Sequence, residues 1–122
     1  PIPERTLTNK DRDKIRIEVA QKIADILNVI CVLKGRRTII AAPGAQQLIN
    51  RNSGPELATA GSGDILAGLI AAFIASYKPQ SILQAQKVVS NAVHLHSVAG
   101  RHAASKRKSV VATDILESLS YC

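Results

Sequence analysis

The spacing of apolar residues changes character along this chain, and each change predicts an element. From residue 11 to 27, Ile15, Val19, Ile23, Ile26 and Leu27 recur at helical spacing, while Asp11, Asp13, Lys14, Glu18 and Lys22 take the other faces. That period predicts a surface amphipathic helix. Thr8 and Asp11 stand at its start with the spacing of a capping box, Asp replacing the usual Glu. VICVL, Val29 to Leu33, is apolar throughout and rich in β-branching. A run without alternation predicts a strand covered on both faces. Lys34-Gly35 stops it, and TIIAA, Thr38 to Ala42, predicts a second strand. Beyond the turn signal Pro43-Gly44, QQLIN, Gln46 to Asn50, predicts a third strand that completes a hairpin.

The second half of the chain reads differently. Residues 51–63 form a polar loop with Gly and Pro. Asp64 to Tyr77 is apolar nearly all round, which predicts a buried helix, and Lys78-Pro79 ends it. Gln80 to about Ala104 predicts a long helix whose broad apolar face includes Leu83, Val88, Val89, Ala92 and Val93. Thr113 is placed to cap a closing helix from Asp114 to Leu119. The order α-β-β-β-α-α-α, with a doubly covered strand, predicts part of an α/β layered domain.

Composition narrows the function classes. At 122 residues the chain is long enough for one modest domain. It is 46% hydrophobic and 20% charged, the balance of an ordinary globular protein. One Phe, two Tyr and no Trp leave Ile, Leu, Val and Ala to build the core. They also leave no aromatic platform for stacking nucleic-acid bases. The net charge of +7 is scattered rather than gathered in a stripe, and the Ser105–Ser109 cluster reads as a solvated loop. A basic balance suits nucleic acid, a membrane surface or an anionic small molecule such as a nucleotide. Cys31 and Cys122 form neither a metal-ligand pair nor a disulfide framework, and Cys31 reads as a small buried residue of a reducing cytoplasm. The longest apolar stretch, Ile65 to Ala75, is too short to span a bilayer, and these residues predict no secretory signal. His94 and His96 lie roughly 200° apart around a helix, so they do not share a metal. His96 reads as a packed or interhelical hydrogen-bonded residue, and His102 as a surface one. The chain has no Met and opens Pro-Ile-Pro, either after removal of an initiator or as the tail of something longer.

The candidate chemistry lies at the start of the apolar helix. Ala60-Gly61-Ser62-Gly63 precedes Asp64. Helix N-termini present backbone N–H groups without intrahelical partners, and the helix dipole adds partial positive charge there. Glycines let a phosphate approach the main chain, and Ser62 adds a hydroxyl donor. Asp64, in the first turn, stays ionised and is placed to accept a proton from a hydroxyl attacking a phosphoryl group. The bland alternative is that Asp64 caps the helix and nothing more. The P-loop pattern G-x-x-x-x-G-K-[ST] and the nucleophile elbow G-x-S-x-G are both absent.

Taken together, VLKGRRTIIAAPGAQQLIN, then GPELATAGSGDILAGLIAAFIA, then AVHLHSVAG, resemble the C-terminal part of the ADP/ATP-dependent NAD(P)H-hydrate dehydratases. These are enzymes of the ribokinase-like superfamily. The resemblance implies an α/β ribokinase-like layered fold, present here as its C-terminal half, so that residues 1–122 form a single partial domain. It implies phosphorylation of the hydroxyl of hydrated NADH or NADPH by ADP or ATP with Mg²⁺, followed by phosphate elimination. By the same resemblance Asp64 is the catalytic base and contacts the hydrate. Gly61, Ser62 and Gly63 are the anion-stabilising turn. Lys34, Gly35 and Thr38, with Arg36 and Arg37 between, are the nucleotide-binding segment. Family members often carry Asn-Pro-Gly where this chain has Gly54-Pro55-Glu56. The family's domain is much longer and has a whole N-terminal portion with further strands and most hydrate-binding residues. Three arrangements are therefore compatible with the sequence: a fragment, the second half of a split enzyme that works with a partner chain, or a decayed remnant without catalysis; the alternative to the enzyme reading is a catalytically incomplete nucleotide-binding or assembly module. A three-stranded sheet leaves a raw edge, so an N-terminal partner chain or self-association is expected to cover it.

Overall fold

The computed structural model describes residues 8–51, 61–106 and 119. The elements run α1 (Asn9–Leu27), β1 (Cys31–Leu33), β2 (Thr38–Ala41), β3 (Leu48–Asn50), α2 (Ser62–Tyr77) and α3 (Ile82–Lys106). Each expected element up to α3 is present, its ends displaced by no more than two residues. The closing helix expected from Asp114, apart from Leu119, falls outside the described residues, as do Ala60, Cys122 and most of the basic cluster.

The capping box at α1 forms as its spacing predicts. Thr8 Oγ1 accepts from the Asp11 amide at 3.1 Å, and Asp11 Oδ2 accepts from the Thr8 amide at 3.2 Å. Asn28 closes the helix in the left-handed region, φ 54°, with its amide donating to Ala24 O. Asn tolerates that conformation better than most side chains do.

The three strands form an antiparallel sheet in the order β1-β2-β3, and among the described residues nothing pairs with its outer edges. Register decides the two faces. Val32, Ile40 and Leu48 align across the strands on one face, while Leu33, Ile39 and Ile49 align on the other. The first face packs on Leu66, Val89 and Val93 of α2 and α3. The second packs on Ala20 and Ala24 of α1, with Ile17 beside them. β2 is buried along its whole length, so the doubly covered central strand is TIIA. β1 is an edge strand, half-buried throughout, and Cys31 on it is half-buried rather than enclosed as expected.

Two helices present faces that their apolar patterns did not predict. α1 buries Ala20 and Ala24 fully, whereas Ile15, Val19, Ile23 and Ile26 are 48, 45, 37 and 77% exposed. The reason is geometric. Alanines let the helix lie close to the sheet, and long polar residues beside them reach the turns at either end of it. Gln21 Nε2 donates to Ala42 O at 2.8 Å, and Asp25 Oδ1 accepts from the Gly44 amide at 3.0 Å. α2 is apolar nearly all round yet largely uncovered. It packs along α3 and reaches the sheet through Leu66, Ile70 and Ile74, leaving Ala67, Ala71, Ala75 and Tyr77 exposed.

Polar groups under α3 are matched. Gln86 Nε2 donates to Ile40 O and Gln46 O at 3.0 and 2.9 Å, which ties α3 to the sheet. Asn50 Nδ2 donates to Ser97 Oγ at 2.7 Å. Every buried side-chain nitrogen or oxygen among the described residues has a partner, as the cost of an unmade buried hydrogen bond requires.

Candidate functional site

Two turns meet at one end of the sheet. One joins β1 to β2 through Lys34, Gly35, Arg36 and Arg37; the other is Gly61, which opens α2. Gly61 is the N-cap with φ 85°, a backbone that L side chains rarely adopt, and no side chain caps the helix there. The Ile65 amide donates to Gly61 O at 3.3 Å, so the amides of Ser62, Gly63 and Asp64 belong to the first turn, which has no intrahelical acceptors.

Lys34 reaches across from the other turn. A β-carbon on Gly63 would run into its ammonium group, which therefore lies against the main chain at the positive end of α2. A cation at that pole is unfavourable on its own. An ammonium, a helix N-terminus and a residue without a side chain converge there, the kinds of group from which anion sites are built. Gly61 and Asp64 are exposed and Gly63 half-exposed, so the corner is open.

The remaining expected site residues have distinct surroundings. Ser62 is buried, and its Oγ shares a hydrogen bond of 3.1 Å with His96 Nε2 on α3. Its hydroxyl thus faces the helix pair rather than the open corner. The interhelical role expected for His96 is what the structure shows. Burial, the largest cause, lowers the His96 pKa below its ordinary value; a hydrogen bond at the Ser62 backbone opposes this, and the positive charge of Lys34 adds to it. The imidazole is accordingly neutral at pH 7. Thr38 is buried, and its hydroxyl donates to Gly35 O at 3.4 Å across the turn. Arg37 is drawn toward α1, where its Nη1 pairs with Asp13 Oδ2 at 2.5 Å. Arg36 is exposed. Sequence reasoning missed Arg16, whose guanidinium donates to three carbonyls of the Lys34 turn. Nothing in the helical period marks it. The contact of Lys34 with Gly63 was also invisible, because the two are far apart in the chain.

The family model described as NAD(P)H-hydrate dehydratase matches residues 4–120. The chain belongs to the NAD(P)H-hydrate dehydratase family. It is 34% identical over 119 residues to the ADP-dependent (S)-NAD(P)H-hydrate dehydratase of Enterococcus faecalis, covering 98% of this chain and 35% of that protein. It is 38% identical over 108 residues to the bifunctional NAD(P)H-hydrate repair enzyme Nnr of Moorella thermoacetica, covering 87% of this chain and 19% of that one. Its fold matches the crystal structure of the ADP/ATP-dependent NAD(P)H-hydrate dehydratase from Bacillus subtilis co-crystallized with ATP/Mg²⁺, with a TM-score of 0.76 and 28% identity. That match covers 92% of this chain and 39% of the other. The architecture is thus part of a ribokinase-like α/β fold, as the sequence predicted. This NAD(P)H-hydrate dehydratase family member spans well under half the length of each of these relatives. No helix among its described residues is long and apolar enough to cross a membrane.

Proposed function

We propose that this chain is the C-terminal, nucleotide-gripping half of an NAD(P)H-hydrate dehydratase, working in the cytoplasm with ADP or ATP. The observation that carries the reading is the Lys34 ammonium lying against Gly63 at the N-terminus of α2. The terminal phosphate of the nucleotide sits there, held by Lys34 and the amides of the first turn. The β1–β2 turn from Lys34 to Thr38 lines the same end of the sheet and takes the rest of the phosphate chain. Asp64, exposed in that first turn, is the base. Its carboxylate takes the proton as the hydroxyl oxygen of the nicotinamide hydrate bonds to the terminal phosphorus. The bond from that phosphorus to the bridging oxygen breaks, and the shortened nucleotide leaves. Loss of the new phosphate group from carbon, with a proton from its neighbour, restores the double bond of the dihydronicotinamide.

Magnesium fits this donor set in one way. Among the described residues no group of three His, Cys, Asp or Glu side chains is placed to hold a metal. Mg²⁺ commonly rides on nucleotide phosphates with several waters and one or two carboxylates. Here the nucleotide's own phosphates and water would hold it, leaving the Asp64 carboxylate to act as the base. When bound, the ion neutralises phosphate charge.

A second reading, a nucleotide-binding or assembly module without catalysis of its own, is favoured by the exposed stripe Ile15, Val19, Ile23 and Ile26 on α1. An uncovered apolar helix face of that kind marks an interface. The remainder of the family's domain, in the same polypeptide or as a partner chain, covers it and brings the hydrate-binding residues.

Calorimetric titration with Mg·ATP and Mg·ADP tests the nucleotide site. Binding by the chain that Lys34→Ala weakens about tenfold or more supports it. Asp64→Asn is expected to bind nucleotide yet to abolish return of the reduced cofactor's absorbance once the remainder of the domain is supplied. Nucleotide affinity indifferent to Lys34, or repair surviving in Asp64→Asn, overturns the assignment.

A further inference from the structure

We propose that Arg16, on α1 and outside every motif above, is the positioning residue of the nucleotide site, acting through Lys34. The proposal rests on the nucleotide reading of that corner. Arg16 Nη2 donates to Leu33 O at 3.2 Å and to Lys34 O at 3.0 Å, and Nη1 donates to Arg37 O at 3.0 Å. One planar guanidinium therefore grips both arms of the β1–β2 turn, a geometry that its rigid fork of donors suits and a single ammonium does not. The Lys34 carbonyl is fixed directly, and with it the point from which the Lys34 side chain sets out toward Gly63.

The same contact explains a motif residue. A β-carbon on Gly35 would lie 2.5 Å from Arg16 Nη2 and 2.9 Å from Cζ. A free arginine tip would swing aside at little cost. This one is held by three carbonyls, so the turn needs glycine at 35 for the guanidinium to pass beneath it. Asp13, one turn earlier on α1, fixes Arg37 from the same side. α1 thus braces the turn whose lysine meets the helix N-terminus. The helix that carries the exposed apolar stripe is also the helix that sets the nucleotide turn.

The experiment is a double-mutant cycle read in Mg·ATP affinity on the full chain, with thermal unfolding of each apo variant alongside. Arg16→Met keeps the aliphatic stem and removes the donors. It is expected to weaken Mg·ATP binding about tenfold, as loss of a charge-assisted contact does. Arg16→Lys is expected to restore part of that loss. Gly35→Ala is expected to copy Arg16→Met, and to add nothing in the Arg16→Met background. Arg16→Met combined with Lys34→Ala is expected to bind no more weakly than Lys34→Ala alone, because one acts through the other. Affinity unchanged in Arg16→Met while Lys34→Ala loses it, or losses that simply add, overturns the proposal. Affinity unchanged in Lys34→Ala instead overturns the site itself, and this proposal with it. Should Arg16→Met fail to fold, Gly35→Ala and Arg16→Lys carry the same comparison with Lys34→Ala.

Discussion

Replacing Gly63 by alanine sets stability and binding in opposition. The backbone at Gly63 lies outside the left-handed region, so alanine adopts it without strain. In a helix alanine is favoured over glycine by up to about 1 kcal/mol, and in a first turn by less. The new methyl occupies the place of the Lys34 ammonium. Lys34 is exposed, so its flexible end moves away at little cost to the fold. What is lost is the ammonium at the helix pole. A hydrogen bond to a charged group contributes about 1.5–3 kcal/mol, which is roughly 10- to 100-fold in Kd. The expected result is a melting temperature equal to or slightly above that of the parent chain, with Mg·ATP affinity reduced by that factor. Thermal unfolding and calorimetric titration on the same samples read both quantities. Unchanged affinity refutes the anion cradle. A melting temperature lower by several degrees refutes the claim that Lys34 is free to move, and makes its contact with Gly63 a structural one.

Two further outcomes follow from the same structure. His96 has a lowered pKa in the fold, so the unfolded chain takes up a proton first as pH falls below about 6.5. Its contribution is complete above that pH and is lost as pH drops through the folded value. Urea unfolding from pH 7.5 to 5 should show this loss, and His96→Gln should flatten the profile; an identical slope in the variant would remove His96 from the account. On α1, Val19→Lys with Ile23→Glu alters two exposed residues, so the chain should keep its helical content in circular dichroism. Loss of secondary structure in that variant would make the stripe part of the core.

Much of this protein was legible from local chemistry. The capping box at Thr8 and Asp11, the three strands and the glycine turn ahead of Asp64 are decided by neighbours in the chain, and they formed where the pattern put them. The family, too, was readable from the combination of KG-x-x-T and ATAGSGD. Which helix face is buried was not. α1 has an apolar period on one side and alanines with long polar residues on the other, and the sheet's close approach together with the hairpin turns selected the second. α2 looks buried by composition, yet burial needs elements on every side, and among the described residues it has α3 and part of one sheet face. Lys34 on Gly63, Ser62 on His96 and Arg16 beneath Gly35 are long-range contacts, set by how helices and turns cross in space. A sequence pattern records the period of each segment. It carries no term for the distance between segments, and the candidate site exists only through that distance.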